Sequence, residues 1–175
     1  MYSIKAYSQN YDDILAEIFF ECSTQKIFSS SSKKRLFKQK YLDHYLENHP
    51  EFCFLLFKQE VVCGYIIGTL DTLRRFDYSE VFPYYDNIKD SIIKYPSHLH
   101  INILPSEQGK GQGRALLLEL ENKFARGLSP GVHIFTSLDA SNVKFYKSCG
   151  YEDTRNVLYQ GSELLFMGKS LISKP

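Results

Sequence analysis

The chain has 175 residues, 43% of them apolar and 15% aromatic, and a formal net charge of +1. That length suits one domain spanning 1–175 with a real core, and the apolar fraction excludes a disordered chain. The near-neutral balance excludes a dedicated nucleic-acid binder, and no apolar stretch reaches the roughly 20 residues that cross a bilayer. Neither nucleic acid nor membrane is therefore expected as a partner. The start, Met1-Tyr2-Ser3-Ile4-Lys5, has no signal-peptide core. Cys22, Cys53, Cys63 and Cys149 lack metal-ligand spacing and sit among apolar or aromatic neighbours. They read as reduced, partly buried thiols of a cytoplasmic protein, and no metal is expected.

In chain order, Ile4 to Tyr7 predicts a short strand, and Tyr11 to Cys22 a helix with Ile14, Leu15, Ile18 and Phe19 on one face. Ser29 to Arg35 is low in complexity and basic; it reads as a loop leading into a solvated helix face, with Leu36 to Leu46 continuing as an amphipathic helix. Phe52 to Phe57 and Val61 to Leu70 predict paired strands turned at Lys58-Gln59-Glu60. Arg74 to Tyr95 is dense in aromatics and irregular, and His98 to Leu104 is the next strand. Gly113 to Arg126 reads as a helix stopped by Gly127 and Pro130, followed by a strand from Val132 to Ser137. Asp139 or Ser141 is placed to cap a helix at Asn142. Asn156 to Gln160 and Glu163 to Lys169 predict a closing hairpin turned at Gly161-Ser162.

The junction of strand and helix at Gln108-Gly109-Lys110-Gly111-Gln112-Gly113-Arg114 carries the chemistry. Three glycines at alternate positions leave backbone N–H groups bare at the positive end of a helix, an arrangement that holds a pyrophosphate. A P-loop needs Gly-Lys followed by Ser or Thr, and here Lys110 is followed by Gly111. A dinucleotide fingerprint needs a third glycine where this chain has Arg114 or Leu116. Three such glycines would each cost a helix about 1 kcal/mol, which argues for a use.

The spacing Gln-x-x-Gly-x-Gly resembles the acyl-CoA loop of the GNAT N-acetyltransferase superfamily. Downstream, Asn142-Val143-Lys144-Phe145-Tyr146-Lys147-Ser148-Cys149-Gly150-Tyr151 resembles the second GNAT signature. Gly68-Thr69-Leu70-Asp71-Thr72, Tyr95-Pro96-Ser97-His98-Leu99-His100-Ile101 and Leu104-Pro105 are similar to the acetyltransferase-like domain of O-GlcNAcases and its free-standing bacterial relatives. The resemblance implies an α/β (α+β) fold: a mixed, twisted sheet of six to seven strands flanked by helices. The sheet is expected to splay at the acyl-CoA site, between the His98 and Val132 strands.

It also implies an acetyl-CoA-dependent acyltransferase. Backbone groups of Gln108, Gly109, Lys110, Gly111, Gln112 and Gly113 would hold the pyrophosphate, with Lys110 and Arg114 adding charge at the rim. Ile103 and Leu104 would act through their backbone, pairing with pantetheine and polarising the thioester carbonyl. Asn142 would hydrogen-bond pantetheine or a nearby backbone group, and Tyr146 would be the general acid toward the leaving thiolate. Asn102 stands where close relatives often have Asp, and Asn takes no proton. His98 and His100 share its strand face by alternation, and imidazole suits a base. Asp71, Tyr78, Tyr84, Tyr85 and Asp86 suit a cationic or sugar-like acceptor, and equally an aromatic-packed loop. Three readings stand open: an N-acetyltransferase acting on a small-molecule or peptide amine, a catalytically weak or inactive acetyl-CoA-binding or regulatory module, and a protein-interaction domain that has kept only the fold. A monomer or homodimer suits any of them.

Overall fold

The structure, a computed structural model, describes residues 1–74, 83–159 and 161–172, and for Ser162 the backbone alone. Phe76, Tyr78 and Phe82 of the aromatic-dense stretch, and Gln160 of the expected hairpin, lie outside the described residues. The chain forms two compact units, Met1–Gly68 with His100–Leu120, and Thr69–Leu99 with Glu121–Pro175.

The first unit contains β1 (Tyr2–Ala6), α1 (Asp12–Cys22), α2 (Ser31–Lys38), α3 (His44–Asn48), β2 (Cys53–Lys58) and β3 (Val61–Thr69, whose last residue opens the second unit). The strand β4 (Ser97–Ile103) and the helix α5 (Gln112–Arg126) run through both units. The second unit adds α4 (Lys89–Lys94), β5 (Gly131–Ser137), α6 (Val143–Ser148), β6 (Asp153–Tyr159) and β7 (Ser162–Ser170). Among the described residues seven strands form a mixed sheet in the order β1-β2-β3-β4-β5-β7-β6. The β4–β5 pair is parallel, at Ser97↔Val132 and His98↔His133, while β1–β2, β2–β3, β5–β7 and β6–β7 are antiparallel.

In the first unit, β2 and β3 are apolar along nearly their whole length because both faces are covered. Gln59 takes the left-handed conformation that a tight turn between them requires, at φ 57°. Leu15, Ile18, Leu42, Tyr45, Leu55 and Tyr65 are almost wholly buried in one cluster. In the second unit, the ring of Tyr95 lies over two glycines. A Cβ on Gly131 would come within 2.4 Å of that ring, and one on Gly168 within 2.6 Å. The Tyr95 hydroxyl then reaches Asp153 Oδ2 at 2.8 Å, beside Lys94 at 2.9 Å.

Four local expectations are corrected. The serine run is not a loop up to Arg35: the Ser30 hydroxyl accepts from the Lys33 N–H, and α2 starts at Ser31. The expected single helix to Leu46 is broken by a π turn over Gln39–Asp43. The aromatic-dense stretch is not irregular throughout, since Pro83–Ile88 forms a 3₁₀ turn and α4 follows. The α6 N-cap is Asn142 itself, without a side-chain capping bond, rather than Asp139 or Ser141. Gly127 does follow α5, but the left-handed residue there is Leu128, at φ 63°.

Candidate active site

In the first unit, β4 ends at Ile103, a 3₁₀ turn covers Pro105–Glu107, and α5 opens at Gln112. Between them Gly109 and Gly111 have φ of 72° and 80°. A Cβ on either would meet nothing within 4 Å. These glycines are thus not serving internal packing. They give the loop a left-handed backbone and leave open space in front of it.

The loop stands on a charged clasp. Glu107 is 8% exposed. Its carboxylate accepts from the Tyr2 hydroxyl, from Lys58 Nζ at 2.9 Å and from Lys110 Nζ at 2.9 Å. Lys110 also donates to the Ser106 carbonyl at 2.6 Å, so its ammonium is engaged in holding the loop. The side chain of Gln108 points back to the strand, donating to the Ile103 carbonyl at 2.8 Å. Gln112 Nε2 donates to the Lys110 carbonyl at 3.2 Å, and Arg114 is exposed.

Tyr2 first, then Lys58 and Lys110, hold the Glu107 carboxyl at about 2, below its ordinary 4.5. Its folded value is depressed, so the stabilisation is present above pH ~4.5 and is lost as pH falls from there toward 2. Acid unfolding followed by circular dichroism should therefore start at higher pH in the wild type than in Glu107→Gln, measured relative to each protein's stability at pH 7.

The backbone at the strand end divides by direction. The Leu104 N–H donates to the Cys63 carbonyl at 2.9 Å, within the pairing of β3 with β4. Alternation along a strand then turns the Ile103 N–H away from β3. The Ile103 carbonyl accepts from Cys22 Sγ at 3.4 Å as well as from Gln108. Asn102 is half-buried, and its Nδ2 donates to the Tyr65 hydroxyl at 2.7 Å. His100 Nε2 lies 3.1 Å from the Tyr45 hydroxyl, and the rings of Tyr41 and Tyr45 approach it edge-on.

In the second unit, α6 carries Asn142 at its start and Tyr146 one turn on. Asn142 Oδ1 accepts from the Thr136 hydroxyl at 2.8 Å. Tyr146 is 5% exposed between the rings of Phe145 and Tyr151, and its hydroxyl makes no hydrogen bond among the described residues. Burial pushes its phenol well above the ordinary value, so it stays protonated across the physiological range. His98 is buried against Thr72, 2.7 Å from its hydroxyl. Tyr84 and Tyr85 are buried against Phe135, with Tyr85 stacked on it at 5.1 Å, which is packing. Asp71 pairs with Arg74, and Asp86 is exposed.

The structure thus groups His100, Asn102, Ile103, Leu104 and Gln108 to Arg114 in the first unit, and Asn142 with Tyr146 in the second. Sequence reading misses Tyr45, Tyr65 and Glu107, since their partners lie far along the chain and nothing in their own neighbourhoods marks them. The sequence matches the profile of the acetyltransferase (GNAT) family over residues 13–151. The chain belongs to that family.

Solved structures share the GNAT fold along almost the whole chain. SsHAT is 19% identical, with a TM-score of 0.77 over 98% of this chain and 99% of its own. PaiA N-acetyltransferase from Thermoplasma acidophilum, in complex with coenzyme A, is 17% identical, with a TM-score of 0.64 over 97% and 99%. YncA of Salmonella typhimurium, a putative acetyltransferase with its cofactor acetyl-CoA, is 16% identical, with a TM-score of 0.62 over 99% and 95%. Among the described residues, no helix of this GNAT chain is long and apolar enough to cross a membrane.

Proposed function

We propose that this protein is an N-acetyltransferase that moves an acetyl group from acetyl-CoA to an amine by direct attack. The amine nitrogen bonds to the thioester carbonyl carbon, and the carbon–sulfur bond breaks with its electron pair on sulfur. The Ile103 N–H stabilises the oxyanion of the intermediate, since the Leu104 N–H is already given to Cys63. Tyr146 gives its proton to the departing sulfur. The proton lost by the amine passes to His100, or to water, and from there replenishes the phenol. Gln108 to Gly113 bind the pyrophosphate through the backbone, with Arg114 at the rim and Asn142 toward the pantetheine side.

The observation that carries this reading is the pair of left-handed glycines facing open space at the start of α5. Backbone N–H groups at such a helix start bind anions without side-chain charge. The coenzyme A and acetyl-CoA held by two of the structural relatives support the choice of ligand. Acceptors of this kind are small-molecule or peptide amines, the chain acts as one domain, monomeric or as a homodimer, and its setting is cytoplasmic. The segments at Gly68–Thr72, Tyr95–Ile101 and Leu104-Pro105 support kinship with the acetyltransferase-like domain of O-GlcNAcases.

Release of CoA from acetyl-CoA, measured against a panel of amines, tests it. Tyr146→Phe should lower kcat by about 10²–10⁴, the usual worth of general acid–base help, and leave the KM for acetyl-CoA unchanged. An unaltered kcat would remove Tyr146 from the mechanism. Asn102, in place of a proton-accepting Asp, favours a second reading, a catalytically weak acetyl-CoA-binding module. It predicts tight binding by the wild type with no turnover of any amine.

A further inference from the structure

The hydroxyl of Tyr65 is buried in the core of the first unit, and that residue is fully excluded from solvent. A phenol so placed has lost its water and needs a protein partner. Among the described residues it has one, the side-chain amide of Asn102, 37 positions away on β4. The bond takes one of the two N–H donors of Asn102 Nδ2 and turns that end of the amide toward Tyr65. Asn102 Oδ1 makes no hydrogen bond among the described residues, and the side chain is only half-buried. The polar groups adjoining it on the strand are already engaged, His100 with Tyr45, and the Ile103 carbonyl with Cys22 and Gln108.

We propose that Tyr65 is a positioning residue, which turns Asn102 so that its Oδ1 accepts a hydrogen bond from the N–H of the incoming amine. This rests on the acetyltransferase reading and extends it to the acceptor. An amide oxygen accepts N–H bonds but stays neutral and takes no proton. Asn102 therefore binds and aims the amine without deprotonating it. The acceptor class this suits is a primary amine, with one N–H held by Oδ1 and another to surrender as the new amide forms. Tyr65 never touches the substrate and works only through the orientation of Asn102.

Steady-state kinetics with 2-phenylethylamine, spermidine, glucosamine and an alanine-starting peptide as acceptors test the assignment. Tyr65→Phe, which keeps the ring in the core, should raise the acceptor KM about tenfold, one hydrogen bond's worth, with the KM for acetyl-CoA unchanged. Asn102→Leu should do the same, and the double variant should be no worse than Asn102→Leu alone, because both changes remove one contact. Asn102→Asp should retain acceptor affinity, since a carboxylate offers an outward oxygen while accepting from Tyr65. An acceptor KM unchanged in Tyr65→Phe, or lost in Asn102→Asp, overturns the positioning role and leaves the acetyltransferase intact. Binding of acetyl-CoA without turnover of any of these amines by the wild type overturns the acetyltransferase reading, and this proposal with it.

Discussion

Gly111→Glu is expected to weaken acetyl-CoA binding by at least about a hundredfold, as read by calorimetry. The backbone there sits at φ 80°, where an L side chain costs roughly 1–2 kcal/mol. There is room for the new Cβ, so the variant should fold, as circular dichroism would check. The space that accommodates the side chain is the space proposed for the pyrophosphate, so the substitution sets a carboxylate against it. Losing two N–H contacts to ionised oxygens removes about 3 kcal/mol or more, which is over a hundredfold in Kd. Gly111→Ala separates the two contributions, since it carries the strain without the charge. Unchanged affinity in the Glu variant would sink the loop as the cofactor site.

The largest loss of stability is expected at Glu121, in the second unit. Its side chain is 6% exposed, accepts from the Tyr151 hydroxyl at 2.9 Å and pairs with Lys169 Nζ at 2.6 Å. Tyr151 is itself fully buried, and the Lys169 ammonium stands 5.7 Å from the centre of its ring. Glu121→Ala orphans a buried hydroxyl and a largely buried cation together, and should cost about 3–5 kcal/mol in urea unfolding. That is a large share of the ~5–15 kcal/mol by which domains are stable. Glu121→Gln keeps an acceptor for Tyr151 and should fall between the two. Equal stability of wild type and Glu121→Ala would mean that the pair contributes nothing net.

The parts of the molecule legible in sequence are those governed by short-range rules. Alternating glycines, the periodicity of Leu116, Leu117, Leu120 and Phe124, and the apolar runs in β2 and β3 all act within a few residues. Where the structure departs from these rules the cause is also local, and it turns on competition. The serine run reads as low complexity, yet one hydroxyl, that of Ser30, suffices to cap a helix. The stretch before Tyr95 reads as irregular because its aromatics obscure the short turn of Lys89 to Lys94. What no local reading reaches are the pairs made by tertiary packing. Tyr65 meets Asn102, Tyr45 meets His100, and Tyr2 and Lys58 meet Glu107. Each joins residues dozens of positions apart, so its existence depends on how the elements pack rather than on composition. For Lys110 the difference matters to the site, because a lysine in a phosphate loop invites the reading of a ligand contact while this one braces the loop from behind.

The π turn at Gln39–Asp43 has an architectural consequence. A helical turn holding one residue too many advances the phase of everything after it by about 100°. Phe37 ahead of it and Tyr41 within it touch at 5.0 Å and pack, partly buried, against the same core that buries Leu42, Tyr45 and Leu46. Tyr41 within the surplus turn and Tyr45 after it both meet the His100 ring. A graft of α2 and α3 onto another scaffold would have to carry the surplus residue with it, as one transplants a hinge together with its pin.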